Sequence, residues 1–161
     1  MTTAAKGHAS ILRLNTRLFL NCISDVSEEH SRARPNDRTN SIAFIASHLV
    51  ESRHTIAHYL QIKTFNPLER ILKDAVSIED VRELPSLGEL RNAWATISMT
   101  LEECFNDLSE SELRAPSPQR FPVDLPTVHG GLGFLLQHES YHIGQLALLR
   151  KFFGYPAMRY V

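Results

Sequence analysis

The apolar positions of this chain recur at helical spacing, in four runs separated by polar or proline-rich breaks. Ile11, Leu14, Leu18, Cys22 and Val26 fall on one face of a helix predicted over residues 10–29. Arg34-Pro35-Asn36-Asp37 interrupts that pattern. A second helix opens at Asn40 or Ser41, either of which can cap it, and carries Ile42, Ile45, Leu49, Ile56 and Leu60. Residues 65–85 read as a loop with one short helix near 68–73. Ser86-Leu87-Gly88-Glu89 has the form of a capping box and starts a third helix through Leu90, Trp94, Ile97, Leu101 and Phe105. Residues 115–126 hold Pro116, Pro118, Pro122 and Pro126, after which a fourth helix is predicted over 127–153. Gly154-Tyr155-Pro156 stops it. No strand alternation, repeat or low-complexity tract is evident. Helices of about 20 residues are about 30 Å long, which suits an all-α, antiparallel four-helix bundle.

Composition narrows the reading. A chain of 161 residues is most economically one domain, residues 1–161, with a core of its own. The formal net charge of −1 gives no electrostatic pull towards nucleic acid or anionic membrane. The start, MTTAAKGHAS, has no apolar h-region, and no apolar run is long enough for a membrane span. A cytoplasmic protein is therefore expected. Cys22 and Cys104 lie in separate helices without a C-x-x-C pattern, as reduced core thiols would.

The candidate chemistry sits in the fourth helix. His138-Glu139-Ser140-Tyr141-His142 matches H-E-x-x-H, which places two imidazoles one turn apart, able to hold one metal ion from a single face. A peptidase of this type draws its third ligand from further along the chain. None of residues 143–161 is His, Asp, Glu or Cys, so a third protein ligand has to come from upstream. Stepping about 100° per residue from His138 puts His142 near 40°, among Leu149, Leu135, Phe134 and Phe152, on what reads as the core-facing stripe. Glu139, near 100°, reads as its flank. Three roles stay open for it: a partner to the ligands, a base, or a surface carboxylate. Gln145, on the histidine side, can hold an imidazole by its second nitrogen. Tyr141 reads as packing at the pocket rim, Trp94 as core, and Gly144 as a point of close helix or subunit approach.

On the second helix, His48 borders the apolar stripe beside Ser52, Thr55 and Tyr59, which makes it the third ligand candidate. His129 could compete from the start of the fourth helix. His54 and His58, and Arg53 with them, fall on the side read as solvent-facing, and His8 and His30 read as peripheral. Three imidazoles leave a coordination position for substrate, unlike a closed four-ligand structural site.

The segment Asn40-Ser41-Ile42-Ala43-Phe44-Ile45-Ala46-Ser47-His48-Leu49 resembles the second-helix motif of the DinB/YfiT-like superfamily of metal-binding four-helix bundles. Leu136-Gln137-His138-Glu139-Ser140-Tyr141-His142-Ile143-Gly144-Gln145-Leu146 resembles its fourth-helix motif, H-x-x-x-H-x-G-Q. The likeness covers nearly the whole chain in helix order. It implies a metal triad of His48, His138 and His142, a divalent ion (nickel or zinc in many members) and a homodimer. Characterised relatives use low-molecular-weight thiols as S-transferases or in a thiol-dependent isomerisation. The resemblance thus implies a small-molecule thiol cosubstrate, while the near-neutral charge gives no reason to expect a nucleic-acid role. Two other readings stand beside it: a non-catalytic metal-binding bundle acting in stress, and a metal-dependent hydrolase with Glu139 as base.

Overall fold

Short hydroxyl side chains set the start of most helices in the computed structural model, which describes residues 3–73, 75 and 77–160. Helix α1 spans Thr3–Ile23. Asp25, at φ 59, turns the chain, and Ser27 caps the short α2, Glu28–Arg32. The single helix expected over 10–29 is therefore two pieces, the first starting earlier. Its early turns were hidden because Ala4, Ala5 and Ala9 give a weak apolar signal, although Ala5 and Ala9 are fully buried. Ser41 caps α3, Ile42–Tyr59, through a bond from the Phe44 amide at 3.2 Å. Helix α4, Glu69–Leu72, lies where a short helix was expected, and a 3-10 turn follows at Ile78–Asp80. Ser86 and Glu89 form the predicted capping box of α5, Leu87–Asp107. Ser109 and Glu112 repeat the device for the unexpected α6, Glu110–Arg114. Thr127 caps α7, Val128–Phe152, and Gly154 at φ 84 ends it.

Helices α1, α3, α5 and α7 form the four-helix bundle. Helix α1 packs on α5 and α7, and α3 packs on the same two, so α1 faces α3 across the bundle and α5 faces α7. The pairs His8–His129, Asn15–Leu136 and Cys22–Ile143 ascend together, so α1 and α7 run parallel. Arg13–Glu102 and Arg91–Ile23 run oppositely, so α1 and α5 are antiparallel. His48–His142 against Tyr59–Val128 makes α3 and α7 antiparallel as well. Helices α3 and α5 are therefore parallel neighbours, and the link of residues 60–86 between them is the long crossover, while the links between the diagonal, antiparallel pairs each cross one end of the bundle.

The apolar core divides into two clusters. One gathers Phe19, Ile23, Ile42, Leu49, Leu90 and Leu146; the other gathers Leu12, Ile56, Leu101, Phe105, Leu132 and Leu136. A polar layer separates them, centred on Arg53 and Glu139, both with fully buried side chains. Arg53 Nε donates to Glu139 Oε1 at 2.8 Å and Nη2 to Oε2 at 3.1 Å. Nη2 also donates to the Leu12 carbonyl at 3.2 Å, and Nη1 donates to Thr16 at 2.9 Å and to Ser98. All five guanidinium donors are thus used. The guanidinium carbon lies 3.4 Å from the centre of the Trp94 ring, which stacks on Phe19 at 4.1 Å. Trp94 is core, as expected. Arg53 is the opposite of the solvated side chain expected, because α3 is buried almost all round and has no broad polar face to offer it.

The proline-rich segment is tied down at its base. Val128 N donates to the Ala115 carbonyl at 2.9 Å and Ser117 N to the Pro126 carbonyl at 3.1 Å, with an isolated bridge between Pro116 and Thr127. Two glycines let it lie against α7. A Cβ on Gly130 would stand 2.1 Å from the Leu125 carbonyl oxygen. One on Gly131 would stand 2.1 Å from the Tyr59 hydroxyl and 2.9 Å from the Phe121 ring.

Two stability outcomes follow. Arg53→Met, leaving Glu139 as an unpaired buried charge, is expected to cost about 3–5 kcal/mol in urea unfolding; adding Glu139→Leu should restore most of it. Gly131→Ala should lower stability by about 1–3 kcal/mol. Gly144→Ala, where a Cβ meets nothing within 4 Å, should raise it by about 0.5–1 kcal/mol. Equal effects at the two glycines would refute the role given to Gly131.

Candidate metal centre

His48 lies in the second turn of α3, and His138 and His142 lie one turn apart on α7. The antiparallel packing of the two helices brings the three rings together. Ring centres are 5.3 Å apart for His48–His138, 4.6 Å for His48–His142 and 4.5 Å for His138–His142. One nitrogen from each ring lies within 4.8 Å of the other two, and each residue is half-buried. Among the described residues this is the group of His, Cys, Asp and Glu side chains arranged to share an ion.

The hydrogen bonds suit that use. His142 Nδ1–H donates to Gln145 Oε1 at 2.7 Å, which leaves Nε2 with its lone pair. That Nε2 faces His138 Nε2 at 3.1 Å. Two imidazole nitrogens this close either share one proton or, both unprotonated, offer two lone pairs to one cation. Burial pushes the His48 pKa from 6.5 down to about 4, helped by the charges of His142 and then His138. Burial also lowers His138, with His142 adding to it and Glu139 opposing. These two rings are therefore neutral and able to ligate at neutral pH. An all-imidazole set fits a borderline divalent ion such as zinc or nickel better than magnesium or calcium, which prefer oxygen.

The helical-wheel expectation for α7 needs correcting. The buried residues Gly131, Leu132, Leu135, Leu136, Glu139, Ile143, Leu146, Leu149 and Arg150 centre at about 90° on the scale that puts His138 at 0°. Glu139 thus stands at the middle of the core stripe and the two histidines at its edge. Phe152, counted as core, is 61% exposed, and Phe134 is only half-buried. The surface role open to Glu139 is excluded, since both its oxygens are held by Arg53 in the core.

Other histidines are accounted for individually. His54 is buried, not solvent-facing, with Nδ1 2.9 Å from the Thr64 hydroxyl; His58 is exposed as expected. His129 does not join the triad. It pairs with His8, whose Nε2 lies 2.7 Å from His129 Nδ1. His30 meets the Tyr155 hydroxyl and stacks on Phe153. Tyr141 is 58% exposed with its ring edge on His142, and Gly144 makes no close approach within the chain. Cys22 and Cys104 are free, and burial pushes Cys22 up to about 12, so it supplies no thiolate.

Two features escaped the sequence reading. Tyr59, Phe121, Phe134 and His138 form a chain of ring contacts, at 5.5, 5.1 and 6.3 Å, from the proline-rich segment to the triad. Phe121 could not be placed from a segment without periodicity. Glu51 is the other: one turn beyond His48, half-buried, and lining a cleft of about 810 Å³ with Thr55, Tyr59, Pro118 and Gln119. The i, i+3 spacing from His48 was the available signal.

The two strongly depressed histidines set a pH dependence. His8 is lowered to about 4, first by burial and then by the charge of His129, and His48 is lowered to about 4 as described. A cation disfavoured by folding means fewer protons bound in the folded state. Stability therefore rises with pH through this window and is lost as pH falls from 6.5 towards 4. The melting temperature of metal-free protein should drop across that range, and His8→Asn should flatten part of the slope. A wild-type profile level from 6.5 to 4 would contradict these environments.

Comparison with known proteins agrees with this picture. No curated protein matches the chain. The solved structure of YfiT from Bacillus subtilis, described as a probable metal-dependent hydrolase with an unusual four-helix bundle topology, is similar in fold. It matches with a TM-score of 0.66 at 12% identity, over 97% of this chain and 91% of that one. The family model described as the DinB superfamily matches residues 11–146, a span that includes His48, His138 and His142. On that match, the chain belongs to the DinB superfamily.

Proposed function

We propose that this protein is a divalent-metal-dependent enzyme of the thiol S-transferase type, with His48, His138 and His142 as metal ligands. A bound zinc or nickel ion supplies Lewis acidity, which lowers the pKa of a thiol towards neutrality. The protein's own groups orient and exclude. Gln145 fixes the His142 ring through Nδ1, and the Tyr59–Phe121–Phe134 rings shelter one approach to the triad.

The observation that carries the reading is the engagement of Glu139. Both its oxygens accept from Arg53 in the core, so the one acid within the motif is not free to take a proton. Cys22 is likewise no nucleophile. A reaction whose nucleophile arrives on the cosubstrate is the one that needs neither. The description of YfiT as a probable metal-dependent hydrolase supports metal dependence. A hydrolytic version with Glu139 as base is disfavoured by the same ion pair, and the half-exposed triad speaks against a closed, purely structural site. A second copy of this chain is the proposed partner, because Tyr141, Leu148 and Phe152 leave one side of α7 apolar and exposed.

Elemental analysis of purified protein tests the ligand set. Wild type should carry about one divalent ion per chain and His48→Ala should not, whereas Gln145→Ala should weaken affinity about 10–100-fold at unchanged stoichiometry. Full metal content in His48→Ala would refute the triad. Conjugation of an aryl halide electrophile by a small thiol should then require the metal and survive Glu139→Gln in whatever fraction stays folded.

A further inference from the structure

The carboxylate that is free near this centre is on the other helix. Glu51 follows His48 by three residues, about 4.5 Å along α3 and about 60° round it, so the two side chains are surface neighbours with Cβ atoms about 5–6 Å apart. Its carboxylate makes no ion pair or hydrogen bond among the described residues, although the residue is half-buried. It lines the cleft of about 810 Å³ together with Thr55 and Tyr59, which share the His48 side of α3, and with Pro118 and Gln119 of the proline-rich segment. Burial raises its pKa, so an anionic Glu51 is short of a countercharge. The other charged or titratable groups along the cleft are His54 and His58 of α3, Lys63 of the following loop and Glu69 of α4. Lys63 does not pair with Glu51.

We infer that Glu51 is a substrate-binding residue, and that the cosubstrate is an aminothiol whose ammonium group pairs with Glu51 while its sulfur occupies the metal centre. This rests on the thiol reading of the triad and narrows it to one class of thiol. The spacing of one helical turn suits a thiol and an amine separated by two or three carbons. An amine of ordinary pKa is cationic at neutral pH, so binding it leaves no buried charge unpaired. Thr55 and Tyr59 add hydroxyl groups further along the same side of the cleft.

Protein loaded with cobalt(II), a spectroscopic substitute for the native ion, is titrated at about pH 7.5 with cysteamine and with 2-mercaptoethanol. The two probes differ in carrying an ammonium or a hydroxyl, and sulfur ligation is read from the visible and near-ultraviolet absorption. In Glu51→Gln the preference for cysteamine over 2-mercaptoethanol should fall roughly tenfold relative to wild type, with cobalt content unchanged. Glu51→Asp should keep part of the preference. Comparing ratios removes the difference in thiol acidity and any chelation by the amine, which both proteins share. An equal ratio in wild type and Glu51→Gln would overturn the role of Glu51 while leaving the thiol reading intact. If neither thiol changes the spectrum of cobalt-loaded wild type, the thiol reading itself fails.

Discussion

The buried pair of Arg53 and Glu139 is the constraint on which the rest depends. All four long helices meet it: α1 through Leu12 and Thr16, α3 through Arg53, α5 through Trp94 and Ser98, and α7 through Glu139. Removing two charges from water costs several kcal/mol per ion, and only full hydrogen bonding offsets that. The offset requires each helix to present one particular residue at one height and one rotation. An apolar layer would tolerate sliding or rotation of α3 against α7 at small cost. This one does not, because a shift of one residue would leave a bidentate ion pair broken in the core.

That constraint also aims the three histidines. On α7 the step from His138 to Glu139 is about 100°, and on α3 the step from His48 to Arg53 is about 140°. With the ion pair held inwards, the three histidines have to lie at the groove between α3 and α7, half-exposed. Gly130 and Gly131 then allow the proline-rich segment to rest on the first turns of α7, with Phe121 against Phe134 one turn from His138. Gln145 completes the arrangement by fixing which nitrogen of His142 faces its neighbours. Helical backbone places the histidines, and a separate loop packs beside them through Phe121 and Phe134.

Much of this was legible in the sequence. Ser41 and Ser86 act as the caps their positions suggested, since a helix start is a local event governed by a few adjacent groups. The grouping of His48, His138 and His142 was legible because two of them share a helix face and the third borders a stripe. The burial of Arg53, Glu139 and His54 was not legible. Each is polar, and a wheel built from apolar residues alone assigns polar positions to solvent. Helix α3 defeats that assumption by being enclosed on nearly every side. On α7 the exposed Phe152 and half-buried Phe134 drew the inferred stripe towards the histidines, away from its true centre at Glu139. The ion pair joins residues 86 apart in sequence, so no local pattern could report it.

The meaning of H-E-x-x-H in this chain follows from the same geometry. A carboxylate acts as a base only if an oxygen lone pair can reach a substrate proton and its anion is not already stabilised by a fixed cation. Glu139 fails both conditions, because each oxygen accepts from Arg53 and the side chain has no exposure. Glu51 lines the cleft and has no such cation paired with it among the described residues. The acid inside the motif is therefore structural, and the acid outside it faces the cleft. A pattern of residue letters cannot separate these cases, since it records spacing along a helix but not which way the helix is turned. In this fold a buried arginine on the neighbouring helix decides that rotation.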